Sequence, residues 1–349
     1  MKSMVREKVM REPSCETLGQ SEIVSAQGGG KMFLMANNVI TRDIIGAQTN
    51  IKKEEDEISY EGITLTRESE RKIYALPSSV LQVFFFLVIC AIERGCPYDG
   101  FQITLRDFMQ VRKTKDRKTA SRQLVDGINT LADTRVFPDV PRYLENLKEK
   151  RKLTAADLAL KNITHFNILE LPIVKKLRSK KILIRFSRTF LEYLRSTVPM
   201  PIPGVLLTCN SYEYPLAFVL AYLIYSHKKM NLTTNEMSDS AQIRENVLSV
   251  RAILHVMNVP LYKDIDKEAN KNLYKDYRRR VIDFVERYLN LFSEYFMWRY
   301  CHARGKSLED GYKVLPQNYD TLFVHFSFMN YSPFHSKALI HVKQEGVEQ

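Results

Sequence analysis

The chain has 349 residues, of which 45% are hydrophobic and 26% charged, and its formal net charge is +12. The hydrophobic fraction is enough for folded cores, which excludes a disordered chain, and the length predicts about two domains. The basic excess favours a polyanionic partner such as nucleic acid.

The cysteines predict neither a structural metal site nor a disulfide framework, because none of the five belongs to a C-x-x-C pair. They are Cys15, Cys90, Cys96, Cys209 and Cys301. The N-terminus, MKSMVREKVMREPSCE, is charged throughout and lacks the apolar core of a signal peptide. The most apolar run, Val80–Ile92, is shorter than the ~20 residues that span a bilayer. We therefore expect a cytoplasmic protein with no cofactor, no metal and no membrane partner.

Residues 1–57 are predicted to form a flexible arm. They show no sustained hydrophobic periodicity, and they contain a glycine triplet before Lys31 and the charged run Lys52–Glu57. Met32 stands where a P-loop has Ser or Thr, and the first glycine of that motif is missing. The arm is therefore not expected to bind a nucleotide.

The first folded unit is predicted over residues 58–198. It opens with a short strand or hairpin at Ile58–Thr66. A long apolar helix follows over Leu76–Arg94, with Pro77 suited to its first turn. Gly95 and Pro97 then end that helix.

A pair of short helices is predicted next. The first, Thr104–Gln110, begins with Thr104 and Asp107 at the spacing of a capping box. The second, Lys118–Ala132, has a regular apolar face formed by Leu124, Ile128 and Leu131. Two short helices around a tight polar corner are typical of a helix-turn-helix, whose second helix presents its N-terminal end to a DNA groove.

The corner between these helices is strongly basic, and Asp116 is its one acid. The predicted DNA-contacting residues are Arg112, Lys113, Lys115, Arg117, Lys118, Arg122 and Gln123. Those expected to point outward are Lys115, Lys118, Arg122 and Gln123. Lysine and arginine neutralise phosphates, and the N-terminal amides of the second helix add partial positive charge. The alternative is a solvated charged helix in an ordinary bundle.

A β-hairpin with a basic tip is predicted after an insertion over Arg135–Asn162. Apolar and polar residues alternate in His165–Leu171 and in Lys181–Ser187, which indicates two strands. Their connection contains four basic residues and no acid: Lys175, Lys176, Arg178 and Lys180. Such a hairpin after a helix pair is the wing of a winged helix, and the alternative is a solvated loop. A helix at Phe190–Arg195 follows, and Pro199–Pro203 is predicted to be the domain boundary.

The second half, residues 204–330, repeats this order of elements. Its predicted helices are Tyr214–Ser226, Leu248–Met257 and Lys271–Phe292, and its predicted strands are Tyr295–Tyr300 and Thr321–Phe328. The early outer face of the longest helix carries Lys271, Lys275, Arg278 and Arg279. A second predicted wing, Cys301–Asp320, contains Arg304, Lys306 and Lys313. The predicted fold class is therefore α+β, mainly α, with two tandem winged-helix domains between the arm and a C-terminal tail at residues 331–349.

This layout resembles the plasmid replication initiators of the RepA/RepE type, which fold as two tandem winged helices. The resemblance covers roughly Ser59–Phe328. The segments that resemble the helix-turn-helix, the first wing and the second domain's reading helix are TLRDFMQVRKTKDRKTASRQLVDGINTLADTRV, ILELPIVKKLRSKKILIRFSRTFLEYL and YRRRVIDFVERYLNLF.

The resemblance implies sequence-specific binding of directly repeated origin sites in double-stranded DNA. The Lys271–Arg280 helix would then read bases, and the Arg112–Gln123 region would contact a second groove or phosphates. It also implies recruitment of host helicase or replication initiator proteins, and a homodimer that binds an inverted repeat.

Enzymes that act on DNA are not favoured. The seven histidines form no His-x-His pair of the kind a relaxase needs, and His302-Ala-Arg304 has the wrong spacing for a tyrosine recombinase. Neither H-E-x-x-H nor G-x-S-x-G occurs. We therefore expect a binding protein and no enzyme. Two alternatives stay open: a winged-helix transcriptional regulator without an origin function, and a protein whose basic faces bind acidic protein partners.

Overall fold

The structure is a computed structural model that describes residues 32–36, 44, 63–67, 76–138, 165–170, 181–195, 199–225 and 246–328. Within these ranges helices predominate and the strands form small antiparallel sheets, which confirms the α+β, mainly α class. The division into two winged-helix domains stays a prediction. None of the helices in these ranges is both long and apolar enough to span a membrane. We call residues 76–195 the first half and residues 204–328 the second half.

The first half is built around a helix that is apolar on nearly every side. This helix, α1, spans Ser78–Glu93 and is buried along most of its length. The sequence predicted Pro77 in the first turn of this helix. In the structure Pro77 is the N-cap, one position before the first turn. Gly95 follows its C-terminus with a φ of 70°, a left-handed conformation that glycine adopts without strain.

The predicted helix pair follows α1, as α2 (Leu105–Val111) and α3 (Arg117–Asp133). The capping box is confirmed, because the Asp107 N–H donates to Thr104 Oγ1 at 3.2 Å and the Thr104 N–H donates to Asp107 Oδ2 at 2.8 Å. The predicted inner face of α3 is confirmed as well. Its three members are fully buried: Leu124, Ile128 and Leu131.

Helices α1 and α3 approach each other closely at Gly127. A Cβ atom added there would lie 2.6–2.9 Å from the side-chain carbons of Val83, which is itself fully buried. Real Cβ atoms do not approach other carbon atoms this closely, so glycine at this position permits the two helices to pack.

We expect Gly127→Ala to lower the free energy of unfolding by about 2 kcal/mol, because overpacking of the core outweighs alanine's better helix propensity. Urea denaturation measures the change. The control introduces Gly127→Ala into the Val83→Ala protein, because Val83→Ala removes the side-chain atoms that the new methyl group would contact. The double variant is expected to lose less than the sum of the single changes. Additive losses would contradict the steric explanation.

Short strands surround these helices, and a further helix, α4 (Arg188–Arg195), ends the first half. Within the described ranges, the strands up to residue 203 are, in chain order, β1 (Met32–Ala36), β2 (Ile63–Arg67), β3 (Phe101–Ile103), β4 (Thr134–Pro138), β5 (Phe166–Asn167), β6 (Ile182–Ile184) and β7 (Pro199–Pro203). One sheet has the order β2-β4-β5, and β3 pairs with β6 in another. The insertion predicted from residue 135 is therefore wrong at its start, where β4 joins a sheet and buries Val136.

The predicted hairpin is present only in part. Strands β5 and β6 lie where the alternation predicted strands, but β5 pairs with β4 and β6 pairs with β3. Leu169 and Phe186 form an antiparallel bridge between the two segments. The predicted basic tip lies outside the described residues, with Lys175, Lys176, Arg178 and Lys180.

The flexible-arm prediction does not hold for residues 32–36 and Ile44, and the domain boundary predicted at Pro199–Pro203 stays a prediction. Strand β1, from the predicted flexible arm, pairs along its whole length with β7, the predicted boundary segment. Ile44, also from the arm, is fully buried. Backbone pairing and burial therefore tie part of the arm to the folded protein.

The second half contains the helices α5 (Val205–Thr208), α6 (residues 217–225), α7 (Val250–Val256), α8 (Lys271–Lys275) and α9 (Asp283–Leu291). Its strands are β8 (Val247–Ser249), β9 (Phe296–Cys301) and β10 (Phe323–Phe328), in the sheet order β8-β10-β9. The predicted inward residues of the longest helix are fully buried: Ile282, Val285, Leu289 and Phe292.

That longest helix is not continuous, which corrects the sequence prediction. After α8 the chain turns at Asp276 and then forms one π-helical segment, Arg278–Ile282, before α9 begins. A π segment adds a residue to the turn, so side chains on either side of it lose the register of a regular α-helix.

Candidate nucleic-acid interface

The first basic surface is the corner between α2 and α3. Its exposed members are Lys113, Lys115, Arg117, Lys118 and Arg122, so the outward orientation predicted for Lys115, Lys118 and Arg122 is confirmed. The corner turns sharply at Lys113, whose φ of 50° lies in the left-handed region. The exposed side chains therefore project from a tight turn and from the first turns of α3.

Asp116 is the N-cap of α3, which changes how the corner would bind an anion. Its Oδ1 atom accepts hydrogen bonds from the N–H groups of Lys118 at 3.0 Å and Thr119 at 3.1 Å. The hydrogen bonds from Thr119 lower the pKa of the Asp116 carboxyl, which therefore stays ionised at neutral pH. Two N-terminal amides of α3 are thus already occupied, and basic side chains are left as the main phosphate ligands.

Arg112 does not belong to this surface, contrary to the sequence prediction. Its Nη1 atom donates to the carbonyl oxygens of Leu207 at 2.7 Å and Cys209 at 3.1 Å, in the second half. Burial lowers the pKa of its guanidinium. Because the side chain already binds two carbonyls of the chain itself, we remove Arg112 from the candidate DNA-contacting residues.

Gln123 is also turned inward, so its predicted outward orientation is wrong. Its Nε2 atom donates to the carbonyl oxygen of Ser79 and to Gln82 Oε1, both at 3.0 Å. The neighbouring Arg122 is exposed. Helical spacing alone predicted that Gln123 lies on the outer face of α3. In the structure its hydrogen bonds to Ser79 and Gln82 of α1 turn the side chain inward.

The second basic surface lies along α8 and the π segment. All four predicted residues are exposed: Lys271, Lys275, Arg278 and Arg279. Arg280 was not among the predicted residues, and it is exposed too. The three consecutive arginine side chains are 56%, 74% and 50% exposed, in chain order. A regular helix would spread three consecutive residues over more than half its circumference, and the π segment changes that spacing.

Acidic neighbours hold these arginines in place. Arg279 Nη2 lies 2.8 Å from Asp276 Oδ2, and Arg280 Nε lies 3.6 Å from the same oxygen. Arg278 Nε lies 3.8 Å from Asp283 Oδ1, and its Nη1 donates to Val314 O at 2.8 Å. Exposed ion pairs of this kind contribute at most ~1 kcal/mol each. A phosphate group could therefore replace Asp276 as the partner of two arginines at little cost.

The loop predicted as the second wing follows β9. An antiparallel bridge joins Cys301 to Ser307, and the bond from Arg278 to Val314 fixes the loop against the π segment. Lys306 and Lys313 are exposed there. The bond to Val314 therefore places the exposed Lys313, the residue before Val314, beside the second basic surface.

Metal ligands are not clustered in the part of the chain that the structure describes, where no three His, Cys, Asp or Glu side chains meet in a suitable group.

Comparison with known proteins assigns no family, because no family model and no curated protein matches the chain. Two crystal structures of domains 2 and 3 of RctB match it at 13% sequence identity. One match covers 76% of this chain and 85% of that chain with a TM-score of 0.40. The other covers 77% of this chain and 86% of that chain with a TM-score of 0.37. A likeness this distant assigns neither fold nor function.

Proposed function

We propose that this protein binds double-stranded DNA through two basic surfaces, one in each half, and acts as a replication initiator of a plasmid or mobile element. The observation that carries the proposal is that both halves place exposed basic side chains at an equivalent position. In each half, exposed cations stand at the start of a helical segment whose opposite face is buried: α3 in the first, and α8 to α9 in the second. Clustered cations neutralise phosphates and release counterions.

The connectivity around these helical segments supports the winged-helix interpretation. Each follows a shorter helix, α2 or α7, and each shorter helix follows a strand, β3 or β8. In both halves that strand pairs with a strand that comes later in the chain, β6 or β10. A helix pair supported by such a sheet is the frame that presents a reading helix to a major groove.

The finer proposals rest on the sequence resemblance described above. They are binding to directly repeated origin sites, recruitment of host helicase or replication initiator proteins, and a homodimer on an inverted repeat. A transcriptional regulator would use the same two surfaces without an origin. A protein that binds acidic protein partners would use the same charges without a nucleic acid.

Fluorescence anisotropy with a random-sequence duplex tests the central proposal. We expect binding whose log K falls linearly with log salt concentration, as counterion release requires. No binding to duplex at moderate ionic strength would overturn the proposal and favour an acidic protein partner. Two further experiments distinguish an initiator from a regulator. Footprinting shows whether the protein binds the DNA that flanks its gene. A replication assay then shows whether a circular DNA that cannot replicate by itself does so when it carries the gene with this flanking DNA.

Arg279→Ala is expected to weaken binding to the DNA site identified by footprinting by ~1–3 kcal/mol if the guanidinium reads a base. Arg279 is the most exposed of the three arginines, and its ion pair with Asp276 is within one turn. Ser293→Ala, at an exposed position beyond α9, is the control. Affinity for the site equal to that of the control would remove Arg279 from the reading surface.

Asp276→Asn is expected to change affinity in the opposite direction, raising it up to about fivefold, because exposed ion pairs contribute ~0–1 kcal/mol. The substitution releases Arg279 and Arg280 from their shared carboxylate and removes a charge that repels phosphate. Anisotropy with the random-sequence duplex measures it. Asp99→Asn makes the same change of charge at an exposed position in the first half and is expected to have a smaller effect. Equal gains would assign the effect to net charge.

A further inference from the structure

A single helical turn in the second half accepts hydrogen bonds from two side chains of the first half. Helix α5 has C-terminal carbonyls that lack partners within the helix and carry partial negative charge. Gln82 Nε2 donates to the carbonyls of Leu206 and Cys209, both at 2.9 Å. Arg112 Nη1 donates to Leu207 O at 2.7 Å and to Cys209 O at 3.1 Å. Two side chains of the first half therefore bind three carbonyls at the C-terminal end of this turn, those of Leu206, Leu207 and Cys209.

The same turn is fixed to the second half from its other end. The Val205 N–H donates to Tyr295 Oη at 3.1 Å, and burial raises the pKa of Tyr295 to about 12, so the phenol stays neutral. Tyr295 lies between α9 and β9, directly beyond the second basic surface's helix. Movement of α5 would therefore break its bond to Tyr295, which follows that helix, as well as its bonds to the first half.

Gln82 is held rigidly on the first-half side. It is fully buried, and its Oε1 accepts from Gln123 Nε2 at 3.0 Å. Nearby, the ring of Phe85 stacks on that of Phe218 with centroids 5.0 Å apart, and Ser78 Oγ donates to Pro215 O at 2.8 Å. Apolar packing alone permits sliding, whereas these directional hydrogen bonds permit one arrangement.

Arg112 connects this contact to the first basic surface. It lies in the corner between α2 and α3, immediately before the exposed Lys113. A change in the position of the corner would therefore strain the bonds that Arg112 makes to α5, and a shift of α5 would pull on the corner.

We propose that Gln82 and Arg112 are positioning residues that fix the first basic surface relative to the second, so that both contact one DNA duplex at a single spacing. We call these two side chains together with α5 the joint. The inference rests on the proposed function, and it adds to that function a residue pair that sets which arrangements of DNA the protein accepts. Neither side chain needs to touch DNA for this role.

Distances between the halves test the joint without DNA. Spin labels on ketone amino acids at the exposed positions Asp126 and Glu294 report them by double electron–electron resonance. The full chain is expected to give one narrow distance distribution, and the Q82M/R112M variant a broad one. R112K, which keeps the charge but replaces the planar guanidinium with an ammonium group, is expected to lie between them. It also serves as the test variant if Q82M/R112M does not fold, as judged by circular dichroism.

DNA binding tests the consequence, with random-sequence duplexes of one and of three helical turns. Wild type is expected to prefer the longer duplex strongly, because linked sites gain about 10²–10⁴ in avidity when their geometry matches. For Q82M/R112M, the ratio of the affinities for the three-turn and one-turn duplexes is expected to be at least tenfold smaller than for wild type. Its affinity for the one-turn duplex is expected to equal that of wild type.

A narrow distribution in the variants, or an unchanged preference for the longer duplex, would overturn the joint. Binding of neither duplex by wild type is a different outcome. It would overturn the proposed function and the DNA role of the joint, while the distance distribution would still decide whether Gln82 and Arg112 hold the halves together.

Discussion

Replacing Lys115, Arg117 and Lys118 together by glutamine lowers the affinity for a random-sequence duplex by about 500-fold at 0.1 M salt, if each contacts one phosphate. Each phosphate contact contributes ~0.9 to the slope of log K against log salt, so the slope is expected to fall by about 2.7. The three side chains are exposed around the start of α3, and their lone acidic neighbour, Asp116, is bound to backbone amides. Anisotropy titrations over a range of salt concentrations measure both quantities.

A matched control separates local contacts from overall charge. Gln102→Glu, Ser293→Glu and Ser327→Glu together remove the same amount of positive charge at exposed positions outside the two basic surfaces. This triple variant is expected to keep most of the affinity and nearly the full salt slope, since screening weakens charges beyond ~10 Å. An equal loss in both variants would mean that diffuse charge, and no defined corner, attracts the DNA.

Gln82→Leu is expected to lower the free energy of unfolding by about 3 kcal/mol, because a buried acceptor left without its donor costs about 1–3 kcal/mol and more than one group is affected. The Leu206 carbonyl loses the donor that Gln82 gives it, and Gln123 loses the acceptor Oε1. Leucine fills a similar volume, so the loss comes mainly from hydrogen bonding. Urea denaturation with an unchanged m value measures the difference.

Gln102→Leu is the control for this change, because Gln102 lies on β3 with its side chain exposed. Exposed substitutions are usually within about 0.5 kcal/mol of wild type. A similar stability for the two leucine variants would show that the bonds made by Gln82 contribute little to folding.

The helices were the part of the fold that the sequence predicted best, because their signals are local. The capping pair Thr104 and Asp107 and the apolar face of α3 can be identified from spacing within one turn or two. The buried face of α9 was identified in the same way, through Val285 and Leu289. In such segments neighbours along the chain decide the structure.

Pairings between distant segments could not be predicted in this way. Strand β1 joins β7 across more than 160 residues of sequence, and neither segment has the alternation of a half-buried strand. The start of the insertion likewise became β4 because β2 and β5 flank it. Proline-rich composition favoured a linker for Pro199–Pro203, whereas an edge strand tolerates proline as well.

The sequence predicted where the basic residues of the candidate surfaces lie, but it did not predict the orientation of every side chain. Charge identified the corner and the second-half helix, and most of the named residues are exposed. Arg112 and Gln123 point inward because the second half and α1 offer them hydrogen-bonding partners, which one stretch of sequence cannot reveal. The π segment that exposes Arg280 has no signal in residue spacing. That these surfaces bind DNA stays a prediction.

The proline pattern of β7 limits how its sheet can grow. Residues 199, 201 and 203 are prolines and have no N–H, so Met200 and Ile202 supply the strand's only backbone donors. Groups two residues apart point to the same side of a strand, and β1 occupies the paired side. The opposite edge of β7 therefore offers a further strand acceptors but no donors. The β7 edge of this sheet is consequently protected from edge-to-edge aggregation and from strand exchange between copies at high protein concentration.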